Sequence, residues 1–289
     1  MAKRWANLNK VKHAFERRFL MGASLMSEKA VDSSTAFLLQ VEGLTKCYPG
    51  FDLHDVSFSL KPGSITGFIG RNGAGKSTTL KCLEGSVHPD AGTITYFGLP
   101  FAGHEEEVKR FIGFELGGAE FYRSKKVGDI ARVTARFYPE WDEVTYLSYC
   151  KQFDLDQVKR IRDLSQGMRV KFTLALALSH ASKLLILDEP TSGLDPASRE
   201  EVLDIFLRIS RTQNTGILFS THITSDLDKC ADHIIYLDNG VIKGKGPLPD
   251  FKEQYRVTTL EEAQAHHALI LGTRLTATQT TALIPASTH

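Results

Sequence analysis

The stretch Gly70-Arg71-Asn72-Gly73-Ala74-Gly75-Lys76-Ser77-Thr78 constrains this chain more than any other. It fits G-x-x-x-x-G-K-[S/T], with Gly70, Gly75, Lys76 and Ser77 at the fixed places. Upstream, Ile65-Thr66-Gly67-Phe68-Ile69 is a short apolar run between turn residues, the pattern of a buried strand. Downstream, Leu80 and Leu83 stand three apart, as at the start of a helix. A strand feeding a glycine loop and then a helix N-terminus builds an anion nest, because backbone N–H groups and the positive end of the helix dipole face one point. On this reading Lys76 reaches the β- and γ-phosphates of a nucleotide, and the Ser77 hydroxyl is a ligand of Mg²⁺. A glycine turn that binds nothing is the alternative, and the strand and helix on its flanks speak against it.

Composition narrows the rest. Of the 289 residues 42% are hydrophobic, enough for a substantial core. The formal net charge of +1 gives no bulk argument for nucleic acid, and none is expected as a partner. No run approaches the roughly 18–20 apolar residues that span a bilayer, so the chain is expected to meet a membrane only by docking. Cys47, Cys82, Cys150 and Cys230 are scattered without C-x-x-C spacing, which argues against a zinc site or disulfide framework. Each reads as a small buried apolar residue. No metal other than Mg²⁺ is expected.

Residues 1–36 form a basic N-terminal extension, with Lys3, Arg4, Lys10, Lys12, Arg17 and Arg18 ahead of a weak apolar stripe. It reads as a tail without order or as sequence upstream of a start at Met26; a membrane-surface helix is the alternative. From Phe37 a strand begins, then a turn at Tyr48-Pro49-Gly50, then the alternating run Leu53–Leu60. A further hairpin is expected after Asp90-Ala91-Gly92. From His104 to about Leu178 the pattern is helical, and Phe137, Tyr138, Trp141, Tyr146 and Tyr149 read as core aromatics. Apolar strands then return at Leu184–Leu187, Gly216–Ser220 and His233–Leu237. Uniformly apolar strands between helices imply a parallel sheet covered on both faces, with ligands at the carboxyl ends of its strands. Asp188, Glu189 and His222 fall there. The tail from 251 to 289 starts helix-like at Phe251–Tyr255 and ends in a Thr/Ala-rich stretch.

At the end of its strand Asp188 can hold Mg²⁺ beside Ser77, and Glu189, pointing to the opposite side, can orient an attacking water. An acidic pair capping a helix is the structural alternative. Beyond this point the motifs resemble a family. Leu164-Ser165-Gln166-Gly167-Met168 resembles the L-S-G-G-Q signature of ABC-type ATPases, Ser192-Gly193-Leu194-Asp195 their D-loop, and Ser220-Thr221-His222 their H-loop. Tyr48 stands where that family has an adenine-stacking aromatic. The motifs cover roughly residues 37–250 in the family's order, and the Phe137–Asp142 run and Met168 look like a bacterial export or efflux subgroup.

The resemblance implies an α/β fold: a P-loop NTPase (RecA-like) core with a parallel sheet, an N-terminal antiparallel β subdomain and a helical signature subdomain. It implies ATP and Mg²⁺ as cofactors, with Gly70 to Thr78, Tyr48, Ser165, Gly167 and Asp195 around the nucleotide, Ser77 and Asp188 at the metal, and Glu189 and His222 catalytic. It implies a head-to-tail dimer in which each ATP lies between one subunit's loop and the other's Ser165 and Gly167. The second anion site agrees with physics, since Ser165 and Gly167 precede a helix beginning near Met168. A permease in the membrane, with this chain at the cytoplasmic face, completes the expectation. A soluble regulatory ATPase acting on ribosomes or DNA is the runner-up, and a small-molecule P-loop kinase would leave Ser165, Asp195 and His222 unexplained. Two departures stand out. Gln166 and Met168 replace glycine and glutamine in the signature, and the glutamine expected after Ile112-Gly113-Phe114 is absent, with Gly117, Glu115 or Glu120 in its region.

Overall fold

The computed structural model describes residues 37–115, 123–259, 272–275 and 280–285, with side chains described as far as 253. The expectations for residues 1–36, and for Gly117 and Glu120, lie outside the described residues.

An antiparallel layer comes first. β1 (Leu39–Tyr48) pairs with β2 (Phe51–Leu60) on one side and β4 (Ala91–Tyr96) on the other, and the two-residue β5 (Leu99–Pro100) extends β4. Leu39, Val41 and Leu44 of β1 face Leu53, Val56, Phe58 and Leu60 of β2 in one buried cluster. Between β2 and β4 the chain dips into the second layer through β3 (Ile65–Ile69) and α1 (Lys76–Glu84), a helix closed by Gly85 with φ 84°. That left-handed C-cap is a conformation glycine adopts at little cost.

The helical region expected from His104 to Leu178 is interrupted. After α2 (Glu105–Lys109), residues Ile112–Glu115 form β6, which lies parallel to the later strand β7 (Leu184–Leu187). Four residues with a central glycine are too short to show a period of two, so only the pairing partner reveals the strand. The helices α3 (Val127–Thr134) and α4 (Glu143–Gln152), a 3₁₀ turn (Ile161–Asp163) and α5 (Gln166–Ser179) follow. Tyr146 is buried and Trp141 and Tyr149 pack against the core, as expected. Phe137 is not core: it is 73% exposed. Cys47 is likewise exposed, being at the end of the edge hairpin, whereas Cys82, Cys150 and Cys230 are buried.

The second layer is a six-stranded sheet in the order β10-β9-β3-β8-β7-β6, where β7 is Leu184–Leu187, β8 Gly216–Thr221, β9 His233–Asp238 and β10 Val241–Pro247. All pairings are parallel except that of β10, which folds back on β9 as an antiparallel edge. β7 and β8 are buried along their whole length, between the antiparallel layer on one face and α5 and α6 (Pro196–Gln213) on the other. Each buried Leu, Ile or Phe contributes on the order of 1.5–3 kcal/mol, which makes this sheet the anchor of the site. The fold is therefore α/β with a parallel P-loop core, an antiparallel β subdomain and a helical segment.

α7 (Thr224–Cys230) joins β8 to β9, and α8 (Leu248–Gln254) follows β10. Tyr255, expected in a helix, instead starts β11 (Tyr255–Thr259), which pairs with β13 (Thr280–Pro285), itself paired with β12 (Gly272–Leu275). The Thr-rich composition of these segments carries β propensity, but strands of four to six residues are too short to give a clear strand pattern.

Candidate functional site

The loop between β3 and α1 is shaped by what glycine allows. Gly73 and Gly75 have φ 81° and 107°. A Cβ on Gly70 would collide with the Leu237 carbonyl oxygen, and one on Gly75 would meet the Phe51 ring at 2.8 Å. The β9–β10 turn and β2 thus press directly on the loop, and Gly240 N–H donates to Ala74 O at 3.0 Å. Arg71, Asn72 and Gly73 are exposed, Ala74, Gly75 and Lys76 are buried, and Thr78 is half-buried. Lys76 is 6% exposed; its ammonium donates to Gly70 O at 2.8 Å and Arg71 O at 3.3 Å, curling the loop around a positive charge.

Two carboxylates meet this loop. Ser77 Oγ donates to Asp188 Oδ2 at 2.8 Å, and Glu189 Oε1 lies 3.7 Å from Lys76 Nζ. The opposite orientation expected of Glu189 from strand alternation does not hold, because β7 ends at Leu187 and Glu189 takes φ 51°. The backbone turns there, and both carboxylates come to the first turn of α1. Nor is the pair a helix cap, since residues 188–193 are turns and bends and the next helix is capped by Asp195. His222 Nδ1 lies 2.7 Å from Glu189 Oε2. An ionised carboxylate only accepts, so Nδ1 carries the proton of this bond.

Ser220 holds the arrangement together, and its motif position did not announce that role. It is fully buried on β8, which the sheet order places between β3 and β7. Its hydroxyl donates to Asp188 Oδ1 and accepts the Glu189 N–H at 2.8 Å. Behind it, the buried Thr191 hydroxyl donates to Asp226 Oδ2 at 2.6 Å and braces the turn after Glu189 against α7. A serine in an apolar strand next to two carboxylates is the signal that could have found it.

The remaining expected residues divide into two groups. Tyr48 belongs near the loop: it pairs with Phe51, whose ring faces Gly75, and it is 41% exposed with Lys46 Nζ 5.6 Å from its ring centroid. Asp90 fixes that hairpin end, accepting from Lys46 Nζ and Cys47 N–H, both at 2.8 Å. The Cys47 N–H, and next the Lys46 ammonium, hold the Asp90 carboxyl below its usual range. Ser165, Gly167 and Asp195 make their contacts elsewhere in the subunit. Ser165 caps α5, its exposed hydroxyl accepting Met168 N–H at 3.2 Å, so the helix begins at Gln166. Gly167 is buried, and a Cβ there would lie 3.4 Å from Ser198 Cβ. Asp195 caps α6 by accepting from Ala197 and Ser198 N–H, and bonding to Ser198 lowers its pKa.

A buried ammonium inside an anion nest, a hydroxyl and carboxylate within 2.8 Å of each other, and a second carboxylate on an imidazole suit a triphosphate, a hard divalent cation and a water. The pair of oxygen donors, Ser77 and Asp188, fits Mg²⁺ in kind. A cavity of about 620 Å³ lined by Gln40, Thr66, His233 and Lys245 lies instead at the amino ends of β3 and β9, opposite to this site.

Comparison with known proteins agrees. Residues 53–192 match the family model described as "ABC transporter". The chain is 30% identical over 220 residues to the ABC transporter ATP-binding protein YtrB of Bacillus subtilis, covering 75% of each chain. It is 30% identical to the bacitracin transport ATP-binding protein BcrA of Bacillus licheniformis, covering 76% of this chain and 72% of that one. A solved structure of an ATP-binding subunit of an ABC transporter superposes with a TM-score of 0.68 at 30% identity, over 75% of this chain and 92% of that one. The chain belongs to the ABC transporter ATP-binding proteins, and it is an ATPase.

Proposed function

We propose that this chain hydrolyses ATP in pairs of subunits to drive a separate membrane-embedded permease, its ATPase unit spanning residues 37–250 at the cytoplasmic face. The observation that carries the reading is the meeting of Lys76, Ser77, Asp188, Glu189 and His222 at the carboxyl ends of three parallel strands. The loop amides of Gly70–Thr78 and Lys76 hold the triphosphate, and Tyr48 stacks on the base. Ser77 and Asp188 would hold Mg²⁺, which would supply charge neutralisation at the phosphates. Glu189 orients and polarises the attacking water, and His222, whose Nδ1–H is held by Glu189, donates to the γ-phosphate through Nε2 in its doubly protonated form, in which both ring nitrogens are donors.

Half of the phosphate's surroundings is missing from this arrangement. Ser165 and Gly167 sit at another helix N-terminus, a ready anion site whose exposed serine serves only as a cap. A second subunit, head to tail, brings that site and Asp195 to the γ-phosphate, so ATP joins two subunits and hydrolysis releases them. For the permease, the helical segment offers exposed Val133, Phe137, Val144, Leu147 and Val158, and Val133 and Phe137 line a groove of about 580 Å³ with Arg132 and Arg136. Among the described residues no helix is long and apolar enough to cross a membrane. The cargo is set by the permease.

The test compares wild type with Glu189→Gln. ATPase activity should be lost in the variant, which should form an ATP-dependent dimer visible by size. A variant that hydrolyses at the wild-type rate overturns the catalytic assignment, and one that stays monomeric with saturating ATP overturns the dimer.

A further inference from the structure

Glu115 ends β6 and is fastened on two sides. Its carbonyl oxygen accepts the Asp188 N–H at 2.8 Å, and its carboxylate Oε2 accepts from Thr173 Oγ1 of α5 at 2.7 Å. Asp188 is the carboxylate on Ser77, and α5 is the helix whose first turn holds Ser165 and Gly167. One residue therefore touches both the strand end beside this subunit's own nucleotide loop and the helix that presents the second anion site.

The packing between β6 and α5 makes that contact a matched pair. A Cβ on Gly113 would lie 2.5 Å from Ala177 Cβ and 2.7 Å from Leu185 Cδ2, so glycine lets the strand and helix backbones approach closely. Gly113 and Glu115 share one face of the strand, about 6.6 Å apart. Ala177 and Thr173 share one face of the helix, about 6 Å apart. The two spacings agree, the helix running opposite to the strand, so β6 and α5 meet at two successive points. The first is a steric contact. The second is a hydrogen bond between half-buried groups, and Thr173 lies about 12 Å along the helix from Ser165.

We infer that Glu115 is a positioning residue that couples Asp188 to the α5 helix through Thr173, so that nucleotide in one subunit's loop sets the place of its Ser165 for the partner's nucleotide. The inference rests on the two-subunit reading above. A rigid helix carries a displacement at Thr173 to its N-terminus, whereas an apolar contact alone would let strand and helix slide. The bond needs a hydroxyl donor and an oxygen acceptor, which predicts which replacements preserve it.

The experiment uses the full chain with Glu189→Gln as background, measuring binding of a fluorescent ATP analogue and ATP-driven dimerisation. Glu115→Ala and Thr173→Val should each leave nucleotide affinity within about twofold while raising the ATP concentration for half-maximal dimer about tenfold, and the double variant should cost no more than either alone. Glu115→Gln and Thr173→Ser, which keep acceptor and donor, should dimerise as the background does. Unchanged dimerisation in Glu115→Ala and Thr173→Val, or additive effects in the double variant, overturns the coupling. A background chain that binds ATP but never dimerises overturns the two-subunit reading instead.

Discussion

Glu189 Oε2 and His222 Nδ1 stand 2.7 Å apart, while the other Glu189 oxygen faces Lys76 Nζ at 3.7 Å. One carboxylate thus spans the cation of the phosphate loop and the imidazole at the end of β8. Removing its charge while keeping its shape should lower the ATPase rate by about 100-fold or more, with ATP affinity retained. Steady-state phosphate release and equilibrium ATP binding on Glu189→Gln check both halves of this expectation.

Ser220→Ala should be costly although the serine touches no substrate. It removes the hydroxyl donor from Asp188 Oδ1 and leaves the Glu189 N–H without its partner in a half-buried turn. Stability should fall by about 1–3 kcal/mol. ATPase activity should fall by about 10–100-fold, as when an outer-shell partner of a metal ligand is lost. Urea unfolding and Mg²⁺ titration of the ATPase rate report the two effects separately.

Lys76→Ala should weaken ATP binding by about 10–100-fold, the worth of a hydrogen bond to a charged group. Chelation of divalent cations in the wild type should abolish hydrolysis, and Asp188→Asn should raise the Mg²⁺ needed for half-maximal rate. Isothermal titration with and without chelator measures these changes.

His180 offers a pH readout remote from the chemistry. Its ring stacks on Tyr138 with centroids 3.8 Å apart, and burial pushes its pKa down from 6.5 to about 4. Between these values the unfolded chain takes up a proton that the folded chain refuses. Stability present above about pH 6.5 is therefore lost as pH falls, by about 2 kcal/mol at pH 5. Urea unfolding of wild type and His180→Gln at both pH values should show the pH 5 loss shrinking by that amount in the variant.

Much of the site was legible from local rules. The pattern Gly70–Ser77 names its own geometry, since each glycine answers a positive φ or a close backbone approach. The apolar strands at Leu184, Gly216 and His233 end where ligands of a parallel sheet sit, and Asp188, Glu189 and His222 are there. β6 was not legible, because four residues around a glycine carry no period, and neither was the sheet of β11, β12 and β13, whose strands are only four to six residues long.

What the sequence by itself determined is chemistry tied to short range: a phosphate nest, an acidic pair at a strand end, a second anion site at the helix that follows Ser165. These follow from spacing over a few residues, where backbone sterics and hydrogen bonding leave little choice. Only the tertiary structure decided who meets whom. β8 lies between β3 and β7 although it follows both in the chain, and that order alone puts Ser220 between Asp188 and the loop. The positive φ of Glu189 turns its side chain to Lys76 and His222 against the expectation of alternation. Glu115 gains its partner Thr173 from 58 residues away. Long-range pairings of this kind are chosen by the burial of whole faces, a property of the assembled sheet that no local pattern encodes.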